Sequence, residues 1–278
     1  MVLAMVFLAG MDVCAKYLST DYHVVQVLWV RYIGHFALIA ILLFPTYKLS
    51  LFRSNWISLQ LARSLLMALG SLLNFMALRY LQLDQTAAIA FTSPFWVLML
   101  SGPLLGEKVG RAQIVAIMVG FIGVLIITRP GFGDVHWAVY LSLSVALVLA
   151  LFQITTRKLA GVDGHATTQF YTTFVGVIVV TPIIPWYWQE PSLWGWVAMI
   201  LIGVFGLVGH YLLIIAHRLA PASALAPFVY TQIVWMVIFG FLIFADVPDS
   251  WTIIGGAIVV ASGLFLWYRD RQILKSTL

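Results

Sequence analysis

Charge is what this chain has least of. Only 9% of its 278 residues are Asp, Glu, Lys or Arg, where a water-soluble domain carries about 25%. That excludes a soluble globular protein. Cysteine is almost absent as well: Cys14 stands alone in an apolar run, which excludes an internal disulfide and reads as a small buried hydrophobe. No HExxH, no GxSxG and no carboxylate pair placed for acid–base work occurs, so an intramembrane enzyme is not expected. No ring of acidic residues suits a metal cation, and no deep pair of basic residues suits nucleotide phosphates or nucleic acid. No cofactor and no metal site is expected.

What the chain has instead is apolar length. Hydrophobic residues make up 63% of it and the mean hydropathy is +1.02. Apolar runs bounded by charge, proline or polar clusters predict an all-α polytopic membrane protein with ten spans, each long enough for a bilayer that needs roughly 20 residues. They fall at about 1–18, 24–44, 55–79, 84–105, 111–128, 136–158, 165–187, 192–217, 221–245 and 250–268. The first run has no basic leader or small-residue cleavage site and is expected to be a retained helix rather than a signal peptide.

Lys48, Arg53, Lys108, Arg111, Arg157, Lys158, Arg218, Arg269, Arg271 and Lys275 fall on one side of this arrangement. Lys16, Arg79 and Arg129 fall on the other. Such asymmetry predicts both termini in the cytoplasm. Trp56, Trp137, Trp186, Trp188, Trp194, Trp251 and Trp267 lie near span ends, as an interfacial aromatic belt requires.

The chain also repeats itself. Shifted by 139, Gly70 falls on Gly209, Ala77 on Ala216, Arg79 on Arg218 and Glu107 on Asp246. Shifted by 140, Pro45 falls on Pro185 and Gly123 on Gly263. Two five-helix halves, 1–130 and 131–278, are therefore expected. Five is odd, so the second half enters from the opposite side, the pattern of secondary transporters that bind solute near the midplane.

The stretch Ala87 to Glu107 is apolar enough to span yet is interrupted at Ser93-Pro94 amid Phe91, Phe95 and Trp96. Proline removes a backbone hydrogen bond and bends a helix, and bilayers tolerate that beside protein or a water-filled cavity. Pro227, followed by Tyr230, Gln232 and Trp235, echoes it.

The segments ALRYLQLDQTAAIAFTSPFWVLMLSGPLLGEKVGRAQIVAIMVGFIGVLIITRPG and HRLAPASALAPFVYTQIVWMVIFGFLIFADVPDSWTIIGGAIVVASG resemble the EamA-like branch of the drug/metabolite transporter superfamily. The likeness rests on Ala77-Leu78-Arg79-Tyr80, Ser93-Pro94, Gly106-Glu107, Gly120 and Gly123. The chain is also similar to the YddG-type exporters of aromatic and other amino acids. Ala245-Asp246 stands where the family usually shows Gly-Glu, which argues against an acidic coupling group in both halves. The resemblance implies a bacterial inner-membrane exporter of aromatic or neutral amino acids, or of similar amphipathic metabolites. The alternative is an exporter of cationic drugs or of another metabolite handled by the same superfamily.

Ionisable residues inside spans cost roughly 2.5–3.5 kcal/mol each on insertion scales and so need a reason. Asp12, one turn before Lys16, is read either as an i,i+4 pair or as a gate or coupling group. Arg31 is expected to snorkel or to pair with an acid such as Asp12. Arg63, Met67, Gly70 and Asn74 share one helical face; Asn74 is a candidate substrate contact and Arg63 an anchor at the cytoplasmic end. Gln153, and His210 on a glycine-lined face, are further candidates, while Arg157 reads as a topology charge.

With Phe91, Ser93, Trp96, Tyr230, Gln232 and Trp235, these residues predict an aromatic cavity with a few amide, hydroxyl and imidazole groups. Pro94 and Pro227 serve as its hinges. Gly120, Gly123, Gly255, Gly256 and Gly263 predict close packing or a homodimer face, and Gly102 and Gly106 form a GxxxG.

Overall fold

The computed structural model describes residues 1–78, 80, 89–128, 137–244 and 249–276, without the side chains at 75, 78, 127, 128, 244, 266, 267 and 270–276. Arg79, Arg129 and Asp246, and the side chains of Trp267, Arg271 and Lys275, lie outside the described residues. Everything regular among the described residues is helical: α1 (Val2–Asp21), α2 (Val24–Tyr47), α3 (Ile57–Leu78), α4 (Ser93–Leu105), α5 (Arg111–Thr128), α6 (Ala138–Leu159), α7 (His165–Tyr171), α8 (Phe174–Val180), α9 (Leu193–Leu219), α10 (Ala222–Leu225), α11 (Thr231–Phe244) and α12 (Ser250–Ser276). Short 3₁₀ turns cover Lys48–Phe52, Ile184–Trp186 and Ala226–Tyr230.

Six described stretches are long and apolar enough to cross a membrane: Val2–Asp21, Val24–Phe52, Ile57–Asn74, Ala138–Leu159, Leu193–Leu219 and Ala222–Ile243. Three shorter apolar helices, Ser93–Leu105, Arg111–Ile126 and Ser250–Phe265, accompany them. The difference from ten uninterrupted spans has local causes. The run 165–187 breaks at Thr172-Thr173, between α7 and α8. There Thr172 Oγ1 turns back onto the Thr168 carbonyl at 3.0 Å, a bond that competes with the regular ladder.

The prolines also act differently from helix-centre kinks. Pro94 sits in the first turn of α4, where the missing N–H would have had no partner anyway. Pro227 sits in the first turn of the 3₁₀ segment before α11. Gly106 closes α4 with φ +68°, the left-handed cap that glycine adopts without strain. Gly102-x-x-x-Gly106 is therefore a helix ending; Gly106 has no neighbour a side chain would meet within 4 Å.

Glycine elsewhere sets how closely helices cross. α1 packs on α9, α3 on α6, and α5 on α12. A Cβ at Gly209 would lie 2.8 Å from the Leu8 side chain, and one at Gly70 3.2 Å from Val148. At Gly123 it would meet the Gly255 carbonyl at 2.8 Å, so part of the α5 and α12 glycine stripe is used inside the chain. Gly34 and Gly203 meet where α2 crosses α9.

Two polar knots tie the connections at one end of the bundle. Asp163, between α6 and α7, accepts hydrogen bonds from Ser54 Oγ (2.5 Å), Asn55 N (2.8 Å) and Gln60 Nε2 (2.8 Å), while its carbonyl accepts from Arg218. Partial burial opposes its carboxylate, but the hydrogen bonds from Ser54, Gln60 and Asn55 outweigh that and lower its pKa below the ordinary carboxylate value. Glu107 forms the second knot. Its carboxylate accepts from Arg157 Nε, Ala222 N, Ser223 N and Ser223 Oγ, all at 3.0–3.1 Å. Arg157 also donates to the His217 carbonyl at 2.7 Å. Arg157 thus works as a structural partner and not merely as a topology charge.

Candidate functional site

Along α1, the residues Met1, Met5, Leu8, Asp12, Ala15 and Ser19 recur at intervals of four and three, which puts them on one face. All six line a single cavity of about 600 Å³. Four other helices supply most of the rest of its wall. α3 supplies Met67, Gly70, Ser71 and Asn74; α6 supplies Val145, Leu149, Phe152 and Gln153; α9 supplies His210 and Leu213; and α11 supplies Gln232 and Met236. Arg31 reaches in from α2, and Ala90, Phe91 and Ser93 close the side at the start of α4.

The lining changes along its length. Lys16, Ser19 and Thr20 are exposed, whereas Met5, Leu8 and Leu213 are buried. α9 gives the scale. Gly195 lies against the Tyr22 hydroxyl, next to the exposed end, and His217 belongs to the Glu107 knot. At 1.5 Å per residue these are about 33 Å apart, with His210 and Leu213 between them.

The polar contents are few. Asp12 Oδ2 accepts from Gln232 Nε2 at 2.6 Å, joining α1 to α11. Arg31 is 9% exposed, donates to Ser71 Oγ at 3.1 Å, and its positive field reaches Asp12. It does not snorkel; it is part of the wall. A carboxylate and a guanidinium therefore share one solute-sized space, each with hydrogen-bonding capacity left over. The rest is soft: Met1, Met5, Met11, Met67 and Met236 all line it, and thioethers adapt to irregular apolar shapes.

Of the residues singled out from sequence, Asp12, Asn74, Phe91, Ser93, Gln153, His210 and Gln232 come together at this cavity. Trp96, Tyr230 and Trp235 are not among the side chains that line it. Tyr230 is fully buried and fills the notch at Gly120, where a Cβ would lie 2.5 Å from its ring. Its ring also touches Phe91, at 6.3 Å between centroids, so it backs the wall. Trp96 packs half-buried on the core, and Trp235 does so beside Phe239. Sequence reasoning missed Ser71, which sits on a different helix from its partner Arg31, and the methionine lining. The nine methionines in the chain were the available signal.

Arg63 does act as an anchor, one turn from Gln60 of the Asp163 knot, but from inside the bundle rather than at its surface. It is completely buried between α3, α6 and α7.

The family profile of the EamA-like transporters matches residues 1–129 and 136–268. The chain belongs to the EamA-like transporter family. As an EamA-like protein it is a multi-pass membrane transporter. It is 26% identical over 274 residues to the S-adenosylmethionine uptake transporter of Rickettsia conorii, covering 98% of this chain and 92% of that one. It is 31% identical over 223 residues to the riboflavin transporter of Vibrio cholerae, covering 77% of this chain and 72% of the relative. A solved crystal structure of a protein 13% identical in sequence superposes with a TM-score of 0.80 over 98% of this chain and 96% of its own; that likeness concerns the fold alone. The expected closer likeness to YddG-type aromatic exporters gives way to these relatives, which are named for S-adenosylmethionine and riboflavin. The motifs behind the EamA-like resemblance, Ser93-Pro94 and Gly106-Glu107, begin and end α4, so they report scaffold rather than solute.

Proposed function

We propose that this EamA-like protein is a secondary transporter of a mid-sized amphipathic metabolite carrying an amino-acid-like zwitterionic group. The cavity between α1, α3, α6, α9 and α11 is its binding site. One observation carries this reading: Asp12 and Arg31, of opposite charge, stand on the wall of one 600 Å³ cavity. That volume is in the range of drug-sized ligand sites. Asp12 would take an ammonium or sulfonium-bearing end and Arg31 a carboxylate. Asn74, Gln153, His210 and Gln232 would complete the polar contacts, and Phe91, Phe152 and the methionines would hold the apolar part. S-adenosylmethionine, named for a relative, has all these features. Export of aromatic or neutral amino acids is the second reading, favoured by the same charge pair.

The mechanism is alternating access between two inverted five-helix repeats, 1–130 and 131–278. The packing supports it. Under the shift that lays Gly70 on Gly209, α1 corresponds to α6, α3 to α9 and α4 to α11. The pair α1–α9 then has its counterpart in α6–α3, and α1–α11 in α6–α4. Leu8 at Gly209 has a near counterpart in Val148 at Gly70, one residue beyond the strict shift. In this state the cavity opens beside the α1–α2 connection, and the Glu107 and Asp163 knots hold the other end shut. With both termini cytoplasmic in a bacterial inner membrane, this state faces outward, and Pro94 and Pro227 mark where α4 and α11 pivot.

Counterflow in proteoliposomes tests the reading. Labelled S-adenosylmethionine, riboflavin and L-tryptophan are each offered against an unlabelled internal pool. At least one solute with both an α-ammonium and a carboxylate is expected to exchange. Exchange of riboflavin alone, or of none of these solutes, would overturn it.

A further inference from the structure

Arg63 is a buried charge that takes no part in the cavity wall. Arg63 is 0% exposed. Its Nε donates to Thr156 Oγ1 at 2.7 Å, and its Nη1 donates to the Thr168 carbonyl (3.2 Å) and to Thr172 Oγ1 (2.9 Å). Nη2 is buried with no partner among the described residues. Among the described residues no carboxylate pairs with it. A buried cation without a counter-ion is expensive, and the three bonds leave part of the guanidinium's five-donor fork unused.

The surroundings indicate what could supply the missing anion. The Arg63 guanidinium lies 4.4 Å from the centroid of the Phe152 ring, and Phe152 lines the cavity. Arg63 is therefore one side chain behind the wall. Phe152 also meets His210 edge-on at 5.8 Å, and His210 stacks on His35 at 5.9 Å. The fields of both Arg31 and Arg63 reach these two histidines. Arg31 and His210 line the same cavity, and Phe152 lies between Arg63 and His210. Across the group, polar atoms are unclaimed: Gln153 Oε1, both ring nitrogens of His210, and Gln169 Oε1. Farther on, Gln60 donates to both Thr168 and Asp163, which continues the polar line to the far connections.

We propose that Arg63 is a second, deeper binding station for the carboxylate of the transported solute. Arg31 holds that carboxylate while the cavity opens beside the α1–α2 connection. When Phe152 swings aside and the far end opens, Arg63 takes it over through the free Nη2 edge. Gln153 and His210 supply hydrogen bonds on the way. This inference rests on the cavity being the transport site.

The test uses matched competitors that differ only in the carboxylate: S-adenosylmethionine against its decarboxylated form, and L-tryptophan against tryptamine. Each is applied to either face of oriented proteoliposomes. Wild type is expected to favour the acid at least tenfold on both faces. Arg63→Gln should lose that preference on the Glu107 face and keep it on the other, whereas Arg31→Gln should do the reverse. Equal loss on both faces, or a preference that survives Arg63→Gln on the Glu107 face, overturns the proposal.

If Arg63→Gln does not fold, wild type is treated with phenylglyoxal during exchange and the adducts are mapped. Modification of Arg63 should be suppressed by the acids and not by their decarboxylated partners; equal suppression overturns it. Failure of wild type to exchange either pair would remove the transport-site reading and this inference together, which distinguishes that outcome from failure of the station alone.

Discussion

Glu107→Gln is expected to release the closed end of the cavity. The carboxylate gathers four donors, from Arg157, Ala222 and twice from Ser223. An amide keeps one acceptor oxygen, turns an N–H₂ toward groups that are themselves donors, and leaves Arg157 without its counter-charge. Breaking a buried ion pair costs about 3–5 kcal/mol. Arg157 is 28% exposed and Glu107 11%, so solvent screening brings this to about 2 kcal/mol. That corresponds to a shift of roughly thirtyfold between open and closed populations. The readout is Leu213→Cys in a Cys14→Ser background, modified by an impermeant thiol reagent from the Glu107 face. Labelling should accelerate by about that factor at unchanged expression. An unchanged rate would show that the knot is mere packing.

Asp12→Asn is expected to separate solutes by charge. The side chain retains its volume, and by turning its amide it can still accept from Gln232. What it loses is a charge-assisted hydrogen bond to a cationic group, worth about 1.5–3 kcal/mol. Affinity for S-adenosylmethionine or L-tryptophan should fall by roughly 10- to 150-fold, while any riboflavin binding stays within about twofold. Direct binding to purified protein decides it. A parallel loss for charged and neutral solutes would make Asp12 a structural partner of Gln232 and Arg31.

Much of this protein can be read from its sequence because membranes impose simple rules. Charge-poor runs bounded by Lys, Arg and Pro mark most helices within a few residues, and the 4-3-4 spacing on α3 puts Met67, Gly70 and Asn74 on the face that lines the cavity. What resists are pairings between distant residues and choices between two faces of one helix. Nothing near Glu107 indicates Arg157, which lies on another helix. Arg31 reads either as a snorkelling side chain or as a partner of Asp12, and the choice between them rests on Ser71, which is not its sequence neighbour. Tyr230 follows a proline and so reads as cavity lining, but the notch that receives it is made by Gly120 on another helix. Its burial is a tertiary fact. Thr172-Thr173 lies inside an apolar run, and its break is met from α3 by Arg63 donating to Thr172 Oγ1 and by Ser64, which donates to the Thr172 carbonyl and accepts from Val175 N.

Above all, the α1–α3–α6–α9–α11 cavity must hold the solute and be reached from one side at a time. Asn74→Cys on the Cys14→Ser background tests this most directly, since Asn74 lines the cavity and Cys14 is the chain's one native thiol. An impermeant maleimide added on the face of the α1–α2 connection should label it, and the exchanging solute should slow that labelling at concentrations that support counterflow. Labelling from neither face, or labelling that no transported solute affects, would contradict the claim.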